Sequence, residues 1–268
     1  MDYYLILSII RIISLLPFRL LYLLSDALFF PLYYIIRYRR KIVRRNLMES
    51  FPNKNKKEII TIEKQFYHFL SDILFETCKL GTISQQKVRK RLNFDNLEML
   101  QDLLREGKSV AVFMGHYGNW EWLSTSGLWF NEKSTVVQIY HKLHNKSIDK
   151  ILKEQRERLN NLCIDINDTV KYIVQSQKEQ KHHIYGFIAD QSPRKNASKH
   201  FIDFLYHEIP VLTGPEKICK HFDMYPVYLS LQRTRRGYYE CHILPLHDDP
   251  KSLPNYELTK LFFQQLEL

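Results

Sequence analysis

The chain has 268 residues, 39 Lys and Arg against 29 Asp and Glu, and a formal net charge of +10. That length suits one catalytic domain with an appendage. The basic excess calls for an anionic partner: a phospholipid surface, a phosphorylated glycolipid, an acidic carrier protein or nucleic acid. Cys78, Cys163, Cys219 and Cys241 are scattered without a CxxC pair, which argues against a zinc site or a disulfide scaffold and for reduced core thiols. Seventeen Tyr and sixteen Phe are more aromatics than a soluble domain needs, and proteins at interfaces use them freely.

Residues 1–36 are nearly all apolar, interrupted by Asp2, Arg11, Arg19, Asp26, Pro17 and Pro31. No small-residue cleavage site follows, so a secretory signal peptide is not indicated. Leu20 to Ile36 approaches the length of a membrane span, although Asp26 weakens it. Residues 3–36 therefore read as one tilted transmembrane helix or as a kinked interfacial hairpin around Pro17; the bland alternative is an amphipathic helix buried in a soluble domain. Arg37, Arg39, Arg40, Lys41, Arg44 and Arg45 follow, a cluster that stays cytoplasmic and contacts anionic headgroups. The expected division is a membrane anchor over 1–37 and a catalytic domain over 38–268.

A basic helix is predicted over 38–50, ending at Ser50-Phe-Pro-Asn53. Another runs from about 58 to 79, with Ile59, Ile62, Phe66, Phe69, Leu70, Ile73 and Leu74 on its core face. His68, Asp72 and Glu76 recur every four residues, which reads as a solvated face. A helix over 93–106 stops at Gly107. The apolar run Val110 to Met114 reads as a buried strand. Gly115 and Gly118 break it, and Asn119 can cap a helix over 119–130. A strand from Ser134 to Tyr140, a polar loop 141–145 and a helix 146–159 follow. Next come a helix near 167–179, a strand Ile184 to Ala189, and a strand His200 to Leu205. Thr213, Pro215 and Glu216 mark a helix start whose free N–H groups suit an anion. Strands 226–232 and 238–244 form a hairpin through Thr234 to Gly237, and 256–268 reads as a last helix. Alternating strands and helices imply an α/β fold, with a mixed, mainly parallel sheet flanked by helices.

His116 falls on a loop at the carboxyl end of a strand, where open α/β sheets place their chemistry. Glu121 lies in the first turn of the next helix and can fold back towards the imidazole, giving a His–carboxylate general base. The spacing equally admits a Glu121 that only complements the helix dipole. Asp190, with Gln191, ends another strand and faces the same crevice.

These residues carry a resemblance. Gly115-His116-Tyr-Gly-Asn-Trp-Glu121 resembles the His-x4-Asp/Glu motif of glycerolipid-type acyltransferases and looks most like their lipid A late-acyltransferase branch. Ala189-Asp190-Gln191-Ser-Pro193 and Phe204-Leu…Gly214-Pro-Glu216 are similar to further signatures of that branch, and the likeness runs from about residue 16 to the end. The resemblance implies an enzyme at the inner membrane, its catalytic domain on the cytoplasmic side. It would move a fatty acyl chain from acyl carrier protein, or acyl coenzyme A, to a hydroxyl of a lipid A precursor. An aminolipid or lysophospholipid acceptor would need the same machinery. A non-catalytic basic membrane module would explain only residues 1–45.

The family places an Arg after the strand's Tyr, where this chain has His141 and Lys142, so the resemblance passes the phosphate-facing charge to Arg156 and Arg158. It implies His116 and Glu121 as catalytic residues, with Arg156, Arg158, Asp190, Gln191, Gly214 and Glu216 at the substrate. Family members continue with an aromatic and basic tail beyond the point corresponding to Leu268. No G-x-S-x-G occurs, which favours direct transfer through a ternary complex over an acyl-enzyme. Backbone N–H groups near Gly115 or Gly214, or a nearby Arg, are candidate oxyanion donors. The chain has no P-loop, no G-x-G-x-x-G and no spaced ligand set, so neither a metal nor a nucleotide cofactor is expected, and no nucleic-acid recognition motif occurs.

Overall fold

The computed structural model describes residues 3–130, 134–193 and 200–268. The chain divides into two compact units, Met1–Ile83 and Ser84–Leu268. Residues 38–83 pack with the helices before them, so the first unit extends beyond the expected anchor segment 1–37. Residues 1 and 2 of the expected anchor lie outside the described residues.

The first unit is helical: α1 (Tyr3–Leu15), α2 (Phe18–Phe30), a π-helical turn (Pro31–Ile35), α3 (Arg40–Ser50) and α4 (Lys56–Leu80). Pro17, with no N–H to donate, separates α1 from α2. Asn55 and Glu58 close a capping box on α4, each accepting from the other's backbone N–H. Of the row His68, Asp72 and Glu76, expected to face solvent, His68 is exposed but Asp72 and Glu76 are buried against α2. Ser25 donates to Asp72 at 2.6 Å, Tyr22 donates to Glu76 at 2.9 Å, and the His68 ring stacks on Phe29. Asp72 and Glu76 are buried while Phe66 and Leu74 are exposed, so the apolar face read from the sequence is in part the outer one.

The second unit is built on a seven-stranded sheet in the order β1-β9-β8-β2-β5-β3-β4. Its strands are β1 (Leu92–Asp95), β2 (Val110–Met114), β3 (Val136–Tyr140), β4 (Asn161–Asp165), β5 (Ile184–Ile188), β8 (Tyr225–Arg235) and β9 (Tyr238–Pro245). The run β8-β2-β5-β3-β4 is parallel; β9 turns back on β8, and β1 follows β9. In β2, Val110 to Phe113 are all buried, as expected of a central strand covered on both faces. The helices are α5 (Gln85–Arg89), α6 (Leu97–Arg105), α7 (Lys146–Glu157), α8 (Thr169–Lys178), α9 (Gly214–His221) and α10 (Glu257–Glu267). Phe113, Phe187 and Tyr228 of the sheet meet Phe262 and Phe263 of α10 in the main core.

Three local readings change. Residues 92–95 form β1, paired with β9, and only then does α6 begin, because Asn96 takes a left-handed turn between them. Asn161 to Asp165, assigned to no element by the sequence, is the edge strand β4; its alternating burial is too short a signal to stand out. The expected strand 200–205 is β6 (Phe201–Phe204), which pairs with β7 (His207–Pro210) in a separate hairpin.

Candidate active site

Parallel register builds the site. Met114 of β2 stands level with Ile188 of β5, and the backbone N–H of Ala189 donates to the Met114 carbonyl at 3.0 Å. Two residues further along each strand, His116 and Asp190 therefore stand side by side at the carboxyl edge of the sheet. One Asp190 oxygen, Oδ2, accepts the backbone N–H of His116 at 2.7 Å, and Oδ1 meets the ring Nδ1 at 2.7 Å. The carboxylate thus holds both the backbone and the ring, and fixes the tautomer with the proton on Nδ1. Nε2 is left as the acceptor and faces the Gln191 amide nitrogen at 3.3 Å. Trp120 sits edge-on to the imidazole, with centroids 4.8 Å apart. The His116 and Asp190 side chains are 30% and 21% exposed, open enough for a substrate to reach.

Two glycines make the geometry possible. A Cβ at Gly115 would lie 2.9 Å from Leu266 Cδ1 and 3.2 Å from Asp190 Oδ2, so the absence of a side chain lets the carboxylate reach the loop. Gly118 has φ +62, and a Cβ there would meet the Leu231 carbonyl at 2.4 Å.

Glu121 does not fold back on His116. Arg156 of α7 takes both of its oxygens, Nε to Oε2 at 3.0 Å and Nη2 to Oε1 at 2.5 Å. The expected helix after Asn119 is a 3-10 helix, Trp120–Trp129, without a side-chain cap. Its tighter turn leaves Glu121 in a forked ion pair with Arg156. Burial works against the Arg156 charge, but the hydrogen bonds and charge of Glu121 outweigh it and hold the guanidinium above its ordinary pKa. Arg158, two positions on, is on the other side of the helix and exposed. The loop residues His141 and Lys142 are exposed too, and Lys142 lies 3.5 Å from Asp165.

The last two expected substrate residues differ in kind. Gly214 opens α9 at an exposed position, with open space where a Cβ would be. Glu216 is buried and committed: it accepts from Tyr256 N at 2.7 Å, Thr259 N at 2.9 Å and Thr259 Oγ1 at 2.6 Å, and pairs with Lys220 at 2.8 Å. It is a clasp that caps α10, since the first turn of a helix offers unpaired N–H groups and Glu216 lies opposite them. Burial alone would raise its pKa; the bonds from Lys220 and Thr259 more than reverse that and lower it.

Sequence reasoning placed Asp190 in the crevice but not on the imidazole. The strand pairing that makes them neighbours was the missing information. It also passed over Trp120 as a wall of the site, and Leu266, whose side chain reaches Gly115 from the last turn of α10.

A histidine oriented by a carboxylate at the carboxyl edge of a parallel sheet is the arrangement of an enzyme that moves a proton. The profile described as bacterial lipid A biosynthesis acyltransferase matches residues 1–267, and the chain belongs to that family. It is similar to a lipid A biosynthesis acyltransferase of Haemophilus influenzae (strain ATCC 51907 / DSM 11121 / KW20 / Rd). The two are 22% identical over 253 residues, covering 90% of this chain and 75% of the relative.

Proposed function

We propose that this protein transfers a fatty acyl chain from the thioester of acyl carrier protein to a hydroxyl of a lipid A precursor. It does so at the cytoplasmic face of the inner membrane, with His116 as general base. The observation that carries the reading is the His116 Nδ1–Asp190 Oδ1 contact of 2.7 Å, on a part-exposed imidazole whose Nε2 faces the Gln191 amide. Asp190 keeps the proton on Nδ1 and offsets the charge that develops on the imidazole, so Nε2 can take the acceptor hydroxyl's proton. The alkoxide oxygen bonds to the thioester carbonyl carbon; as the tetrahedral centre collapses, the C–S bond breaks and the departing thiolate takes the proton back from Nε2. Gln191 keeps the lone pair of Nε2 aimed until substrate displaces its amide.

Glu121 serves the site through Arg156. The pair ties the loop that follows His116 to α7, and the Arg156 nitrogen not held by Glu121 is available to an acceptor phosphate. The apolar helices of the first unit and the basic stretch after them support a membrane location, and the charge of +10 suits an acidic carrier protein. The test is transfer of a radiolabelled acyl chain from acyl carrier protein to a lipid A precursor by the purified chain, compared with acyl coenzyme A as donor. Product with the carrier protein that disappears in His116→Ala supports the reading. Equal use of coenzyme A with a lysophospholipid acceptor would redirect it, and lipid binding without product in any combination would reduce the chain to a membrane-binding module.

A further inference from the structure

The first unit has an aromatic core at Phe29, Tyr33 and Tyr67, yet it also exposes large apolar side chains and buries charged ones. Tyr4, Leu5, Ile12 and Leu15 on α1, and Leu23 and Phe30 on α2, are all more than half exposed. Glu63, Asp72, Glu76 and Lys79 of α4 are buried. An exposed apolar surface of this kind needs a cover, and the charges beside it indicate which one. α3 has no buried residue at all, and carries exposed Arg and Lys interleaved with exposed Ile42 and Met48. Arg40 and Arg44 are turned inwards onto Glu63, at 3.4 and 2.7 Å, whereas Arg37, Arg39, Lys41 and Arg45 are exposed.

The way this unit is stitched together decides how it can meet a bilayer. The stretch Phe18–Ile35 is the one helix among the described residues long and apolar enough to cross a membrane by length and composition. It is held antiparallel along α4 by Tyr22 on Glu76, Ser25 on Asp72, the Phe29 ring on His68 and the Tyr33 ring on Tyr67. At the turn between α1 and α2, the Lys79 ammonium donates to the Ser14 and Leu16 carbonyls at 2.6 and 2.8 Å. Thr82 adds a bond to Ser14 at 2.7 Å. For α2 to span the bilayer, α4 would have to enter with its Glu, Asp and Lys side chains, or every one of these bonds would have to break. The chain on both sides of Phe18–Ile35 is also polar: Lys79 and Thr82 hold the turn before it, and Arg37 to Arg45 follow it. α1, with 13 residues, covers only about 20 Å, short of the roughly 30 Å hydrocarbon layer; Phe18–Ile35 is long enough, and its bonds to the buried charges of α4 are what hold it back from crossing.

We infer that α1, α2 and α3 form a monotopic, in-plane docking surface for a bilayer rich in anionic phospholipid, and that the chain does not cross it, so its amino terminus stays on the side of Ser84–Leu268. Apolar faces of α1 and α2 enter the acyl region while the four exposed cations meet lipid phosphates at its rim. The inference rests on the membrane reading given above, and its test does not read acyl transfer.

The test uses the full chain with an epitope tag at the amino terminus and a second at the carboxyl terminus. Protease is added to spheroplasts and, separately, to inverted inner-membrane vesicles. Both tags should be cut in inverted vesicles and protected in spheroplasts; an amino-terminal tag cut only in spheroplasts means a span and overturns the inference. In flotation, the purified chain should rise with vesicles of phosphatidylethanolamine and phosphatidylglycerol, at least tenfold more than with phosphatidylcholine alone. Ile12→Glu with Leu23→Glu should abolish flotation, and Lys41→Glu with Arg45→Glu should remove the phosphatidylglycerol preference. All four substitutions are at exposed positions, so circular-dichroism melting should be unchanged. A chain that stays in solution, floats equally on both vesicles, or covers the face by dimerising in size-exclusion light scattering overturns the proposal. His116→Ala should dock like the parent, so failure of docking and failure of catalysis are read separately.

Discussion

His116 and Asp190 are 74 residues apart in the chain and share two contacts of 2.7 Å, because β2 and β5 run parallel with Met114 level with Ile188. The register, more than any local motif, brings this pair together. A carboxylate that accepts both the backbone N–H and the ring N–H of one histidine leaves that histidine little rotational freedom, which is the preorganisation the proposed base requires.

The first prediction is that His116→Ala lowers kcat about a hundred- to ten-thousand-fold with the fold intact, as removal of a general base does. Asp190→Asn should fall in the same range, because an amide that donates where the carboxylate accepts reverses the imidazole tautomer. The double variant should be little worse than either single one. Single-turnover rates measure all three; a fully active Asp190→Asn enzyme would remove Asp190 from the mechanism.

Glu121 should act through Arg156. In a double-mutant cycle of Glu121→Ala and Arg156→Ala, thermal or urea unfolding should show a coupling of about 0.5–3 kcal/mol, the range for residues in direct contact. Glu121→Gln should raise the KM for a phosphorylated acceptor more than it lowers kcat, and should cost nothing further once Arg156 is already Ala. If the loss from Glu121→Gln is undiminished in the Arg156→Ala background, the carboxylate serves His116 after all.

Glu216 gives a prediction for pH. Its pKa is lowered in the folded protein, so the stability it contributes is fully present above the unfolded value near 4.5 and is lost as pH falls through the folded value. The parent chain should lose melting temperature on acidification below about pH 4.5, and Glu216→Gln should flatten that part of the curve. At neutral pH the substitution should destabilise by about 2–4 kcal/mol, since it weakens a buried charged clasp and leaves Lys220 without its counter-ion.

The thiols should be inert until the chain unfolds. Burial pushes Cys163 and Cys219 up to about 12 and raises Cys241 as well. A thiol reagent at neutral pH should react with none of these three in the native protein and with all of them in denaturant. Mass spectrometry of the labelled peptides is the readout, and rapid native labelling of Cys163 would contradict its burial.

Several elements were legible in the sequence because their signal is local. The buried strand Val110 to Met114, the capped helix α7 after Asn145, and the β8–β9 hairpin through Gly237 each follow from apolar runs, caps and turn residues that act over a few positions. Others were not: β1, β4, α5 and β7, the partner of the expected strand that is β6, are each five residues or fewer and lack the unbroken apolar run that marks β2.

The sequence by itself determined the α/β class, the placement of His116 and Asp190 at strand ends, the basic and apolar character of the first 45 residues, and the motifs that mark the family. All are properties of residue type and spacing along the chain. Only the tertiary structure decided the partners. Glu121 is five residues from His116 yet turns to Arg156, and Asp190 reaches the imidazole from another strand. Asp72 and Glu76, on a row that reads as solvated, are buried against Tyr22 and Ser25. A carboxylate is stabilised by whichever donors the packed fold brings within hydrogen-bond distance, and that depends on strand register and helix pairing, which residue spacing does not encode.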